Sequence, residues 1–255
     1  MPNTKDRAES IVASMSLRER ISQMVHQARG ISRLGIPAYN WWNECLHGVA
    51  RAGTATVFPQ PIGLAAMFDE PFLKEIAAAI SDEVRAKYNE AVGQQDREPH
   101  LLKVLPDAIS GWLLARKYWY RGLTCWSPNI NIFRDPRWGR GHETYGEDPF
   151  LTSRLGVAFV QGLQGDHPDY LKVVATPKHF AVHSGPEAKR HSFNAVVSQK
   201  DLHETYLPAF KACVQEGGAA SVMAAYNAVN GEPCSANEEL LQKILREEWG
   251  FDGFV

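Results

Sequence analysis

Four stretches of this 255-residue chain concentrate side chains able to do chemistry, and each follows a short apolar run. The first holds Trp41, Trp42, Asn43, Glu44 and His47. The second runs Arg134-Asp135-Pro136-Arg137-Trp138-Gly139-Arg140-Gly141-His142-Glu143. The third is Lys178-His179-Phe180 with His183 beyond it, and the fourth is Tyr226-Asn227. Carboxylate, ammonium, guanidinium and imidazole groups bond hydroxyls, and Trp or Tyr stacks on the apolar side of a sugar ring. Gathered on one surface, these residues would suit a carbohydrate.

Each stretch also has a plainer reading. Trp41 and Trp42 bury enough area to serve packing alone. Lys178 and His179 would pass as a surface or core-edge pair. The stretch from Arg134 to Arg140 reads equally as a turn held by ion pairs. Glu147 and Asp148 sit where a helix begins and are assigned to capping. What favours the functional reading is their joint placement after successive strands.

The elements that must position these residues alternate. Ser16-Leu17-Arg18-Glu19 has the form of a capping box, and Leu17, Ile21, Met24 and Val25 follow at helical spacing. Asp69 is placed to cap a second helix carrying Phe72, Ile76, Ile80 and Val84. Asp148-Pro149 opens a third, with Leu151, Leu155, Phe159 and Leu163 on one face and Gly165 at its end. Two more helices are read over Ser198–Gly217 and Asn237–Trp249. Between them lie apolar runs at Pro37–Trp42, Gly63–Phe68, Thr124–Ile132, Val173–Phe180, Ala219–Tyr226 and Phe251–Val255. Near-continuous apolar strands alternating with helices predict an α/β fold with a parallel sheet. The length matches a (β/α)8 TIM-barrel-like domain of about 250 residues, whose binding face forms at the C-terminal strand ends. Only about six strands are counted against the barrel's eight, so residues 1–255 are read as one incomplete, C-terminally truncated barrel domain. Residues 93–120 form an unusual insertion, with an extra helix expected from about Pro106 to Tyr118.

Composition narrows the function. The net charge is −2 and no basic stripe exists, so nucleic acid is not expected as a partner. No apolar run is long enough for a membrane span, and the polar segment from Met1 to Ser10 lacks a signal-peptide core. A cytoplasmic location is therefore expected. Cys45, Cys125, Cys213 and Cys234 are widely separated and read as free buried thiols; no clustered ligand set suggests zinc.

The blocks Trp42–Gly48 (WNECLHG), Phe58–Asp69 (FPQPIGLAAMFD), Ser127–Pro149 (SPNINIFRDPRWGRGHETYGEDP), Lys178–Phe180 (KHF) and Ser221–Gly231 (SVMAAYNAVNG) resemble successive blocks of glycoside hydrolase family 3. The likeness is strongest to its β-xylosidase and β-glucosidase members and covers nearly the whole chain outside 93–120. It implies a retaining exo-hydrolase of terminal β-linked sugars, acting on an oligosaccharide or aryl glycoside without metal or cofactor. It gives substrate-binding roles to Glu44, Arg140, Lys178, His179 and Tyr226. It places the nucleophilic aspartate just beyond Val255 and the acid/base glutamate in a later domain, so no catalytic carboxylate is expected within the chain. Asp252 precedes the last strand and is no substitute.

Two departures carry meaning. Glu44 stands where glucosidase-type members usually have aspartate, which leans the expectation toward a pentose such as xylose. In the hexosaminidase branch an Asp-x-His dyad serves as acid/base. Here His191 has about that spacing but Lys189 replaces the aspartate, so the imidazole loses the partner that would fix its tautomer. The alternatives kept open are a non-catalytic sugar-binding remnant, one half of a split enzyme completed by another chain, and a β-N-acetylhexosaminidase. An isolated incomplete barrel is also expected to be poorly soluble.

Overall fold

The computed structural model describes residues 4–95 and 119–255. The helix expected from about Pro106 to Tyr118 lies outside the described residues. Among the described residues, no helix is long and apolar enough to cross a membrane.

The helices form where local signals demand them. Helix α1 is Thr4–Ser14 and α2 is Leu17–Ser22. Ser16 caps α2: its hydroxyl accepts from the Glu19 N–H at 3.3 Å, and Glu19 Oε2 accepts from the Ser16 N–H at 2.8 Å. The apolar face expected from Leu17, Ile21, Met24 and Val25 is not buried; Met24 is 84% exposed. The helix stops at Ser22, after fewer than two turns, so Met24 and Val25 lie past its end. Helix α3 is Pro61–Ala65. The strand expected at Gly63–Phe68 is thus overturned, because Pro61 pre-sets the first helical turn and the short run closes helical bonds instead.

Helix α4, Glu70–Gln95, starts with the Phe72 N–H donating to Asp69 Oδ1 at 2.9 Å. Ile76, Ile80 and Val84 face the core, while Phe72 is about half exposed. Helix α5, Pro149–Gln164, is capped by Asp148, whose carboxylate accepts from the Leu151 N–H at 2.6 Å, and ends at Gly165. Leu155, Phe159 and Leu163 are fully buried. Helices α4 and α5 approach closely at Gly162, where an added Cβ would lie 2.4 Å from the Lys74 carbonyl and 2.6 Å from the Ala77 Cβ. The segment expected as one helix over Ser198–Gly217 is broken. Helix α6 is Gln199–Asp201, a wider turn spans Leu202–Tyr206, and α7 is Pro208–Gln215. Pro208 has no N–H to continue the ladder, which explains the break. The last helical segment, Glu239–Glu248, is wound with i→i+5 bonds and is capped by Asn237 Oδ1, which accepts from the Leu240 N–H at 2.9 Å.

The strands are short. An antiparallel pair joins β1, Gln27–Ala28, to β2, Tyr39–Asn40. Strand β3, Thr124–Cys125, pairs in parallel with β4, Val174–Ala175. Just beyond, Asn129 bridges in parallel to Lys178 at the start of β5, Lys178–Phe180. Two further short strands, β6 at Asn194–Ala195 and β8 at Ala228–Val229, pair beside this arc. Strand β7, Met223–Ala224, lies parallel to β5, and Ser221 bridges in parallel to Phe254. The segments at 124–129, 174–180, 221–224 and 254 therefore lie side by side in chain order. Residues 39–43 flank this arc, since Trp126 N–H donates to the Asn43 carbonyl at 2.8 Å and the Asn43 amide donates to the Gly122 carbonyl at 2.9 Å. The architecture is a TIM-barrel-like α/β arc with α4, α5 and α7 packed outside; among the described residues the barrel does not close. All four cysteines are buried free thiols.

Candidate functional site

Four of the five residues singled out from sequence meet at the C-terminal ends of these strands. Lys178, the first residue of β5, is 2% exposed, and its Nζ donates to Glu44 Oε2 at 3.0 Å. The other oxygen, Oε1, accepts from the Trp42 indole N–H at 3.1 Å. A carboxylate has about four acceptor positions, so two donors leave Glu44 room for further hydroxyls. Its side chain is 25% exposed, so it faces the opening while the ammonium lies beneath.

His179 follows Lys178 and is held by Asn131. The Asn131 Oδ1 accepts both the His179 backbone N–H, at 2.8 Å, and Nδ1–H, at 2.9 Å. Its amide donates back to the His179 carbonyl at 2.9 Å, which fixes the orientation of the amide. With Nδ1 carrying the proton, Nε2 is the acceptor, and Arg140 Nη1 donates to it at 3.3 Å. Burial holds the imidazole well below its ordinary pKa, and the charges of Lys178, His183 and Arg140 press in the same direction. His179 is therefore neutral.

Arg140 makes a two-pronged pair with Glu143, Nε to Oε1 at 2.8 Å and Nη2 to Oε2 at 2.6 Å. Burial pushes the Glu143 carboxyl up, but the Arg140 bonds and charge outweigh it and hold the group below its usual range. The turn carrying Arg140 is tight: a Cβ on Gly141 would fall 2.2 Å from the Phe133 ring. Arg137, in the same stretch, pairs with Asp135 at the surface, as the plainer reading of that turn expected.

Tyr226 stands apart from this network. Its side chain is 60% exposed, with its ring 4.5 Å from that of His191 and beneath the Arg190 guanidinium. Arg190 also pairs with Glu187 at 2.9 Å and donates from Nε to His191 Nε2 at 3.3 Å. The loop of residues 184–192 thus builds a rim of Glu187, Arg190 and His191 against Tyr226. His191 has a cation as its partner, not a carboxylate.

Trp42 stacks on Trp126 with centroids 5.2 Å apart and meets His26, Trp119 and Tyr120 edge-on. Trp41 contacts Tyr39 and Phe254. Both tryptophans are engaged in packing, and Trp42 also donates to Glu44. Sequence reasoning overlooked Asn131. Its signal was present: asparagines at 129 and 131 inside an apolar run are polar groups that burial obliges to find partners. Glu143 was noted without a role, although its spacing of three from Arg140 invited one.

A TIM-barrel-like α/β arc with a charged cluster at its strand ends defines a class that many activities share. The family is narrower. Residues 106–255 match the model of the glycosyl hydrolase family 3 N-terminal domain, and the chain belongs to that family. It is 44% identical over 255 residues to a xylan 1,4-beta-xylosidase of Xylanibacter ruminicola, covering 99% of this chain and 28% of the relative. To beta-D-xylosidase 3 of Arabidopsis thaliana it is 42% identical, covering 98% of this chain and 31% of the relative. Among solved structures it is similar to a GH3 exo-beta-xylosidase in complex with a xylobiose aziridine probe, with a TM-score of 0.80, 35% identity and coverage of 97% and 30%. It is also similar to a beta-glucosidase from Streptomyces venezuelae in complex with D-glucose, with a TM-score of 0.74, 32% identity and coverage of 97% and 28%. The chain thus spans about 30% of the length of these proteins.

Proposed function

We propose that this pocket is the sugar-gripping part of a glycosidase that hydrolyses terminal non-reducing β-linked sugars with retention. The observation that carries the reading is the continuous chain Trp42–Glu44–Lys178–His179–Arg140–Glu143, in which every charge is paired and acceptors and donors remain for hydroxyls. Glu44 and Lys178 grip adjacent hydroxyls, Arg140, oriented by His179 and Glu143, holds a second edge of the ring, and Tyr226 lies at the rim.

Retention needs two carboxyl groups about 5–5.5 Å apart, a nucleophile and an acid/base. Glu44 and Glu143 are engaged by Lys178 and Arg140 and act here as binding and orienting groups. By the family pattern, neither the nucleophile nor the acid/base is assigned to a residue of this chain. The preferred sugar is xylose. The relatives at 42–44% identity are named as β-xylosidases, and Glu44 stands where glucosidase-type members usually have the shorter aspartate.

The test is binding and hydrolysis of aryl β-xyloside and β-glucoside by the 255-residue chain. Xyloside binding without turnover, lost in Glu44→Gln, is the expected result. Turnover that disappears in Glu44→Gln would move the chemistry onto Glu44 and overturn the assignment of roles. A second polypeptide that co-purifies and restores turnover would mean a split enzyme. Absence of any sugar binding would defeat the reading.

A further inference from the structure

The pocket holds a second imidazole that none of the above uses. His183 lies just past β5, is 3% exposed, and stacks against His179 with centroids 4.3 Å apart. Its Nδ1 is 3.1 Å from Asn227 Oδ1. The Asn227 amide nitrogen donates to the carbonyls of Ala181 and Ala228, at 3.4 and 3.1 Å, so the oxygen is the atom that faces His183. An oxygen acceptor there requires Nδ1 to carry the proton, which leaves Nε2 as a bare lone pair. Among the described residues that Nε2 is buried and has no partner. The two histidines thus share one tautomer, each set by an asparagine; one Nε2 is occupied by Arg140 and the other is vacant.

A second unpartnered group sits on a ring that packs against this one. The Trp138 ring meets the His183 ring edge-on at 5.9 Å, and its buried indole N–H also lacks a partner among the described residues. Buried polar groups are costly to leave unpaired, so two of them on rings in contact point to a group that would bond them. His183 packs on His179, whose Nε2 meets Arg140, so it belongs to the same cluster. An unpaired acceptor and an unpaired donor on two rings in contact suit a group that is both donor and acceptor, as a hydroxyl is.

We infer that His183 Nε2 accepts a hydrogen bond from one hydroxyl of the bound sugar, with Asn227 fixing the tautomer and the Trp138 indole as the neighbouring donor. The inference rests on the sugar-binding reading above and adds a specificity-determining contact to it. Arg140 and His183, both in contact with His179, then act on the sugar beside the grip of Glu44 and Lys178.

The experiment titrates the 255-residue chain with methyl β-D-xyloside and its 2-, 3- and 4-deoxy analogues, followed by NMR. His183→Phe keeps the ring packing and removes the acceptor; it should weaken xyloside binding about tenfold, the loss expected for one buried hydrogen bond. One deoxy analogue should lose the same factor with the parent chain and nothing further with the variant. Equal binding by parent and variant, or an equal loss across all analogues, would overturn the contact. Should the variant not fold, the nitrogen resonances of His183 in the unsubstituted chain decide. Nε2 should be unprotonated and should shift when xyloside is added; an unmoved signal would mean a resident water and defeat the inference. Binding that is lost in Glu44→Gln but untouched in His183→Phe overturns only this contact, whereas no binding by the parent chain overturns the sugar reading with it.

Discussion

Asn131 holds His179 through three hydrogen bonds, accepting its backbone N–H and Nδ1–H and donating to its carbonyl, all between 2.8 and 2.9 Å. A side chain beyond β3 therefore bonds the backbone of β5 and sets which imidazole nitrogen faces Arg140. Removing it in Asn131→Ala strands two buried backbone groups. The expected loss is about 2–3 kcal/mol of stability, from bonds worth about 1 kcal/mol each. Urea unfolding measures it, and an unchanged midpoint would mean that water takes over the asparagine's bonds.

The buried ion pair makes an asymmetric prediction. Lys178 is 2% exposed and Glu44 25%, so the ammonium has less access to water. Glu44→Gln should cost about 3 kcal/mol by leaving a buried cation without its counter-charge. Lys178→Met should cost less, because Glu44 retains water and the Trp42 indole. The double variant should be more stable than the sum of the singles implies, and a double-mutant cycle by denaturant unfolding supplies the comparison.

Acid should weaken the fold through the two imidazoles. Burial holds the pKa of His179 and His183 below the ordinary value of 6.5. Below that value the unfolded chain takes up protons that the native chain refuses. Stability is therefore level above pH 6.5 and falls as the pH drops beneath it, by at most about 1.4 kcal/mol per pH unit for each histidine. Glu143, held below the usual carboxylate range, loses its contribution only at lower pH still. Denaturation midpoints between pH 8 and 5 should show this slope, and His179→Gln should flatten it. A slope unchanged by that substitution would assign it elsewhere.

Gly162→Ala tests the contact of α4 with α5. The added methyl meets the Lys74 carbonyl and the Ala77 side chain well inside contact distance, so the helices must move apart. A loss of about 1–3 kcal/mol follows from overpacking of this kind. Gly93→Ala, near the end of α4 with nothing close to its Cβ, serves as the control and should be neutral or slightly stabilising.

What could be read from the sequence was what is local. The Ser16 box, the caps at Asp69 and Asp148, and the stop at Gly165 depend on neighbours within a few residues, and each formed where its pattern lay. The motif blocks carried four of the five site residues into one network. Gly63–Phe68 was misread because a short apolar run fits a strand or a helix equally, and Pro61 decided it. Leu17 and its companions had helical spacing but too short a helix to bury them. Asn131 was hidden for the opposite reason: its partner His179 lies 48 residues away, and no local pattern announces such a bond. Trp42 on Trp126 is a second such case.

The order of the arc has a consequence for how the pocket comes into being. Neighbouring strands are supplied by segments roughly fifty residues apart, and Glu44 meets Lys178 across 134 residues of chain. Helices α4 and α5 are built from local bonds and can form early, but such distant contacts accrue slowly. The pocket is thus among the last things the chain assembles, and the Glu44–Lys178 contact is a clock for the end of folding. A sugar that binds there would recognise only molecules that have finished.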